Sequence, residues 1–235
     1  MTRLLMLLSV PTWIIHLLTV SEWLAAILLF RRYAIRIERP QLRWFAYAMI
    51  PHLLAGLAVL GFHLSGDQAD WLIALSRLLT FVGSLSLLSA TLLLLPEGRF
   101  PRGSAAAAVM ALGLVLGLGR WWFGEAGATA LLPAANLAYL GFLLMLLVLY
   151  RQDRALFSAL TVFGFWFLLV FVAVTITTTR IATLRLGLPS LSHADVLHGA
   201  SESLLSVSNF LIAFGVYRRL QTTRFRPIEP ACWSK

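Results

Sequence analysis

Seven apolar stretches of about 20 residues each, separated by short polar breaks, constrain the fold of this chain more than any other feature. A helix that crosses the hydrocarbon layer of a bilayer, about 30 Å thick, needs about 20 predominantly apolar residues. The sequence therefore predicts an all-α membrane protein, a bundle of about seven transmembrane helices in contact with lipid. The predicted spans are 10–30, 44–63, 71–95, 105–123, 131–150, 155–178 and 196–217.

Composition excludes the main soluble classes. Of the 235 residues, 60% are hydrophobic and only 12% are charged, whereas soluble domains carry about 25% charged residues. A soluble globular enzyme and a disordered chain are both incompatible with this balance. Cys232 is the single cysteine, so a disulfide scaffold and CxxC redox chemistry are excluded as well.

The breaks between the stretches carry turn-forming residues, such as Gly66-Asp67 and the segment 124–127. Because the breaks are short, we expect neighbouring helices to be antiparallel and packed together. The spans suggest two three-helix units, with a parallel duplication left open. The expected organisation is a three-helix unit at 1–95, a connector with one transmembrane helix at 96–132, a second three-helix unit at 133–221 and a polar tail at 222–235.

The basic residues that give the chain its net charge of +9 lie mainly in the loops between the spans, as the positive-inside rule describes. This distribution predicts a cytoplasmic or stromal C-terminus and an outer or lumenal N-terminus, and it makes a nucleic-acid partner unnecessary. Arg3, Arg180 and Arg185 lie on the predicted outer side, and Arg77 and Arg120 lie within or at the edge of spans. The predicted inner side carries Arg31, Arg32, Arg36, Arg39, Arg43, Arg99, Arg102, Arg151, Arg154, Arg218, Arg219, Arg224, Arg226 and Lys235.

Aromatic and small residues indicate how the spans are anchored and packed. In the fourth span, Gly113 and Gly117 form a small-xxx-small pattern that lets another helix approach closely. Packing inside the bundle is the favoured interpretation, and an interface with another membrane subunit is the alternative. Interfacial anchors are expected at Trp44, Trp71, Trp121, Trp122, Tyr150 and Tyr217.

Ionisable residues inside spans cost about 2.5–3.5 kcal/mol each on insertion scales and usually face a partner or a cavity. By depth, His16, Arg77, His198 and Glu202 fall in the outer half of the membrane, with His63 at its edge. His16 shares a helix face with Thr19, Val20 and Trp23, whereas Glu22 points elsewhere around the same helix. The full set is His16, Glu22, His52, His63, Arg77, Asp195, His198 and Glu202.

Asp195, His198 and Glu202 stand at i, i+3 and i+7 and therefore share one face of the last span. They are a weak candidate for a metal site that His16 or His63 would complete. A tuned His–Glu pair that ligates a tetrapyrrole metal, or moves a proton to a quinone, is a second interpretation. The structural alternative makes Asp195 part of a capping box that starts at Ser192, and pairs Arg77 with Glu202 or Glu22.

The run Ser9-Val-Pro-Thr-Trp-Ile-Ile-His16, followed by Glu22-Trp23, resembles the hypothetical chloroplast reading frame 49-like family of cyanobacteria and plastids over residues 7–95. Residues 133–221 resemble a second uncharacterised membrane family of the same lineages, through 167–176, 197–203 and Asn209. The resemblance implies a photosynthetic-membrane protein without an established reaction, in which the first and last spans touch. The matching positions are Trp13, His16, Glu22, Trp23, His198, Glu202 and Asn209.

These observations lead to an accessory subunit or assembly factor of a photosynthetic complex, in a thylakoid or cyanobacterial plasma membrane, with other membrane subunits as partners. His16, His198 and Glu202 are the candidate contacts to a chlorophyll, a haem or a quinone. One alternative is a membrane enzyme acting on an isoprenoid, pigment or quinone through Asp195, His198 and Glu202. The other is a small-solute or ion transporter. Known catalytic motifs such as HExxH and GxSxG are absent, so the sequence leaves enzymatic activity open.

Overall fold

The computed structural model describes residues 8–95 and 102–223, apart from several side chains between 102 and 129. Across these residues the fold is all-helical, as the sequence predicts. Arg3, Arg99, Arg224, Arg226, Cys232 and Lys235 lie outside the described residues, as do the side chains of Arg102, Arg120, Trp121 and Trp122. The helices are α1 (Val10–Arg36), α2 (Gln41–Ala48), α3 (Ile50–Leu64), α4 (Asp70–Leu94), α5 (Arg102–Gln152), α6 (Ala159–Arg180) and α7 (Asp195–Thr222).

Six helical stretches are long and apolar enough to cross a membrane: Val10–Arg36, Gln41–Leu64, Asp70–Leu94, Ala130–Gln152, Ala159–Arg185 and Asp195–Thr222. Each corresponds to one predicted span. The predicted span 105–123 overlaps a shorter apolar stretch, Ala106–Gly117. A multi-pass membrane protein is therefore confirmed by length and composition, whereas the count of seven spans stays a prediction.

Helical turns continue through α5 where the sequence predicts a break at 124–127. The helix nevertheless cannot be straight. Gly113 and Gly141 of α5 pack against Leu85 and Leu88, which are one turn apart on α4, although 28 residues of straight helix would separate the two glycines by about 42 Å. The chain therefore reverses direction within α5, and both of its arms flank α4.

The path of the chain makes α1 and α7 parallel neighbours. Hydrogen bonds join the first residues of both helices, Ser9 to Asp195, and the last, Arg36 to Thr223. The first and last helices can be parallel only if the chain crosses the bundle an odd number of times. The reversal within α5 makes the number of crossings odd. This arrangement fits the predicted contact between the first and last spans.

The second predicted span is interrupted at Met49, between α2 and α3. Pro51 has no backbone N–H, so a carbonyl one turn earlier loses its helical donor. The Met49 carbonyl accepts a hydrogen bond from Trp23 Nε1 at 2.9 Å. The Met49 carbonyl also accepts the Leu53 N–H at 3.3 Å, so the tryptophan of α1 adds a second hydrogen bond at this break.

One aromatic core joins the two predicted three-helix units. Phe30 and Phe45 come from the first unit, and Phe142, Phe157 and Phe165 from the second, all fully buried. Their ring centroids are separated by 5.1–6.5 Å, the range in which aromatic pairs add about 0.5–1.5 kcal/mol each. The two units therefore share a core, and their division into separate domains stays a prediction.

The arginine-rich helix ends meet at one end of the bundle. Arg39 lies 3.7 Å from Asp153, Tyr33 donates to the Ala155 carbonyl at 2.5 Å, and Arg219 donates to the Arg154 carbonyl. The opposite end carries the histidines described below. This gathering of basic residues supports the predicted topology, and the compartment that each end faces stays a prediction.

Glycines set the closest helix contacts. Gly113 packs against Leu85 and Gly117 against Leu78 of α4, so this pair serves packing inside the bundle. Close approaches also involve α7: a Cβ at Gly199 would lie 2.7 Å from Thr12 Oγ1, and one at Gly164 would lie 2.8 Å from the Ile212 backbone. Small residues therefore bring α1 and α6 against α7.

Candidate functional site: a histidine cluster beside a membrane cavity

Three buried histidines from three helices meet at the end of the bundle opposite the arginines. His16 of α1 and His198 of α7 bring their Nε2 atoms to 3.0 Å, and His63 closes the triangle from the end of α3. The ring centroids are 5.0, 5.1 and 5.2 Å apart. One ring nitrogen from each histidine lies within 4.8 Å of the others. We call these three residues the histidine cluster.

Two carboxylates flank the histidine cluster. Asp67 Oδ1 lies 2.7 Å from His63 Nδ1, and Ser192 Oγ donates to Asp67 Oδ2 at 2.5 Å. Glu202 Oε2 lies 3.8 Å from His16 Nδ1. Asp67 stands in the left-handed region at φ 60°, a conformation that aspartate tolerates better than most residues. The tight turn after α3 therefore folds this carboxylate back onto His63.

Asp195 does not complete the cluster, and the predicted capping box is wrong. Ser192 lies in a separate turn, Leu191–His193, and α7 begins at Asp195 without a side-chain cap. Asp195 Oδ1 instead accepts the backbone N–H of Ser9 at 3.0 Å. Its carboxylate caps the start of α1, because α1 and α7 begin side by side.

The structure does not bring Arg77 to either candidate carboxylate. Its side chain is exposed, and no ion pair within the described residues joins it to Glu22 or Glu202. Glu202 faces His16, and Glu22 accepts a hydrogen bond from Ser206 Oγ at 2.8 Å. The predicted pairing therefore fails because a histidine and a serine, both on helix faces between α1 and α7, take the place of the arginine.

A cavity of about 370 Å³ lies next to the histidine cluster. Its wall is mainly apolar and includes His16, Thr19, Val20 and Trp23, the α1 face that the sequence predicts. Glu202 and Asn209 enter from α7. The volume falls within the range of about 300–1,000 Å³ that is typical of small-molecule sites.

Several residues around the cavity carry buried polar atoms that have no hydrogen-bond partner within the described residues. Asn209 donates through Nδ2 to the Thr19 carbonyl at 3.0 Å, while its Oδ1 has no donor. His52 packs against Trp23 and over Gly83, where any side chain would collide with its ring. The unpartnered atoms in the wall are Thr19 Oγ1, His52 Nδ1, Thr175 Oγ1 and Asn209 Oδ1. Buried polar groups usually have partners, so these atoms indicate a ligand-binding surface.

The positions that match the family motifs are divided between the histidine cluster and the cavity. Trp13 packs edge-on against His63, with ring centroids 6.5 Å apart, and so joins His16 and His198 at the cluster. Trp23 and Asn209 line the cavity and Glu202 lies between the two, whereas Glu22 lies outside. Sequence reasoning missed Asp67. Its spacing of four residues from His63 was the available signal, because i and i+4 side chains meet at a helix end.

The cofactors expected from the sequence can be tested against this geometry. Two histidines that ligate one haem iron stand on opposite faces of the macrocycle, so their nitrogens lie about 4 Å apart. His16 and His198 Nε2 are 3.0 Å apart, and the other His16 nitrogen faces Glu202. No room remains between these two rings for a haem. A quinone fits the cavity better, because its carbonyls need the hydrogen-bond partners that the wall leaves unpaired.

Comparisons with known proteins divide the chain into the two parts that the sequence resemblance indicates. Residues 7–93 match the family described as Protein of unknown function (DUF2499), and residues 128–221 match Protein of unknown function (DUF3593). A Ycf49-like protein of Synechocystis sp. strain PCC 6803 is 37% identical over 82 residues, which cover 34% of this chain and 79% of the relative. No solved structure matches the chain. The chain therefore belongs to the Ycf49-like family, with a second domain of unknown function joined to its C-terminal side.

Proposed function

We propose that this protein binds a quinone in the membrane cavity and serves a photosynthetic complex as an accessory subunit or assembly factor in the thylakoid membrane. The cavity carries the proposal. It is mainly apolar along α6, where Leu168, Phe171 and Val172 line it, as an isoprenoid tail requires, and polar where Glu202 and Asn209 enter. The Synechocystis relative supports the photosynthetic setting.

The polar groups in the wall suit both redox forms of a quinone head group. Quinone carbonyls accept hydrogen bonds, and the Thr19 and Thr175 hydroxyls can donate them. His52 Nδ1 is an acceptor, because Ser84 Oγ donates to the Thr80 carbonyl and therefore accepts from His52 Nε2. Quinol hydroxyls donate, and Asn209 Oδ1 can accept. When bound, a quinone supplies reversible two-electron, two-proton chemistry. Glu202 and His16, 3.8 Å apart, form a pair that can hold a proton beside such a ligand.

The test is the lipid content of the purified full chain. We expect about one quinone per chain after extraction of the tagged protein from cyanobacterial membranes in mild detergent. Asn209→Leu and His52→Phe should each lower this content several-fold, because they remove polar partners and fill the cavity. Ser203→Ala is the matched control: Ser203 follows Glu202 on α7, bonds only to the Ala200 carbonyl and lies outside the cavity wall.

Two results would count against the proposal. A wild-type protein without quinone, or cavity variants that retain it fully, would exclude quinone binding. Purification without any photosynthetic subunit would exclude the accessory role. Recovery of a chemically altered isoprenoid or pigment after incubation would favour a membrane enzyme, for which the convergence of Glu202 and His16 on the cavity is the supporting observation.

A further inference from the structure

The histidine cluster lies beside the quinone cavity but is a separate arrangement with its own chemistry. We propose that His16, His63 and His198 bind one divalent first-row transition-metal ion. The proposal does not depend on quinone binding, because only His16 belongs to both the cluster and the cavity wall.

The cluster has the size that a three-histidine site needs. Metal–nitrogen bonds of about 2.0–2.1 Å in tetrahedral geometry place the ligand nitrogens about 3.3 Å apart. The His16 and His198 Nε2 atoms are at 3.0 Å, and all three ligand nitrogens lie within 4.8 Å. The observed separations, from 3.0 Å to at most 4.8 Å, therefore bracket the ideal value.

Hydrogen bonding leaves the cluster incomplete without a cation. A neutral imidazole has one N–H donor and one lone pair. Asp67 engages His63 Nδ1, so His63 keeps its Nε2 lone pair for the interior of the cluster. His16 and His198 can share only one proton along their Nε2–Nε2 contact. A metal ion would satisfy all three lone pairs at once.

The carboxylates give the cluster the surroundings of a metal site. Histidine ligands usually donate their second N–H to a carboxylate, which fixes the ring and its tautomer. His63 and Asp67 have this arrangement at 2.7 Å, with Ser192 Oγ holding the other oxygen of Asp67. No arginine or lysine in the described part of the chain pairs with Asp67 or Glu202, so a divalent ion would supply the positive charge beside both carboxyl groups.

The ligand set selects the class of metal. Imidazole nitrogens suit zinc, copper, iron and nickel, whereas magnesium and calcium require oxygen ligands. Three protein ligands leave a fourth position for water or another small ligand, as in catalytic zinc sites. We therefore choose Zn²⁺ as the affinity probe and Co²⁺ as its spectroscopic substitute.

The test measures metal binding to the full-length protein in mild detergent, first stripped with EDTA and then titrated with Zn²⁺ or Co²⁺. We expect about one ion per chain by mass spectrometry, and tetrahedral Co²⁺ absorption bands. His63→Gln and His198→Gln should abolish both signals. Asp67→Asn, which keeps all three ligands, should weaken Zn²⁺ affinity by about 10–100-fold.

One histidine outside the cluster provides a control. His193 is exposed and bonds to Ser190, so His193→Gln should bind Zn²⁺ like the wild type. Circular dichroism confirms folding of each variant, and Zn²⁺ should raise the unfolding midpoint of the wild type and of the control variant, but not that of His63→Gln or His198→Gln. Wild-type protein without bound Zn²⁺ would overturn the proposal. So would binding that survives His63→Gln and His198→Gln, or binding that His193→Gln removes.

Discussion

Replacing Gly199 with alanine tests whether the close approach of α1 and α7 holds the histidine cluster together. A Cβ at this position would lie 2.7 Å from Thr12 Oγ1, far inside the roughly 3.5 Å of an ordinary contact. Overpacking of this kind costs about 1–3 kcal/mol, from which a gain in helix propensity of up to about 1 kcal/mol is subtracted. The helices must separate by several tenths of an ångström, next to His198.

A matched glycine isolates the packing cost. At Gly141, inside α5, the added Cβ would meet Leu88 at 3.5 Å, an ordinary contact. Gly141→Ala should therefore leave stability unchanged or raise it, and the difference between the two alanine variants measures the collision. At roughly 2–4 °C per kcal/mol for a chain of this length, Gly199→Ala should unfold about 2–12 °C below Gly141→Ala in the same detergent.

Second-site substitutions at Thr12 test whether the collision with Thr12 Oγ1 causes the loss of stability. Thr12→Ala removes Oγ1 and leaves the threonine Cβ at 3.6 Å from the new methyl group, so the double variant with Gly199→Ala should recover most of the lost stability. Thr12→Val keeps an atom where Oγ1 stood and should not rescue it. Zn²⁺ affinity should fall and recover with stability. Equal midpoints for Gly199→Ala and Gly141→Ala, or rescue by valine, would refute the reasoning.

Three other predictions concern Trp23, Arg77 and Cys232. Trp23→Phe removes the bond to the Met49 carbonyl and should cost about 1 kcal/mol, seen as a lower unfolding midpoint. Arg77→Leu should leave accumulation in the membrane unchanged, because the exposed side chain has no buried carboxylate to neutralise; a clear loss would restore the predicted ion pair. Cys232, the single thiol, should react with a membrane-impermeant maleimide only from the cytoplasmic side. Labelling from outside would contradict the predicted topology.

The sequence predicted the helical architecture well because its signals are local. Apolar length and turn residues are read along the chain, and they placed the start of α1 at Val10 and of α7 next to Asp195. The α1 face formed by His16, Thr19 and Trp23 was also readable, because helical periodicity fixes which side chains share a side. That face lines the cavity.

The partners of buried groups could not be read in this way. Asp195 has a serine three residues before it, yet the donor that it meets is the Ser9 amide, 186 residues away. Glu202 faces His16 rather than Arg77 because α7 packs along α1 through Gly199. Such choices depend on how helices cross, and a single sequence carries no signal for the rotation of one helix against another.

The histidine cluster belongs to neither of the two matched regions alone. His16 and His63 come from the part that matches the first family, and His198 from the part that matches the second. Polar contacts such as Ser9–Asp195 and Thr19–Asn209 bind the two parts along the parallel helices α1 and α7. Joining both parts in one chain raises their effective concentration and fixes their ratio at one to one. A site assembled from both parts gains most from such a fusion, because each part alone presents an unfinished set of ligands to the membrane.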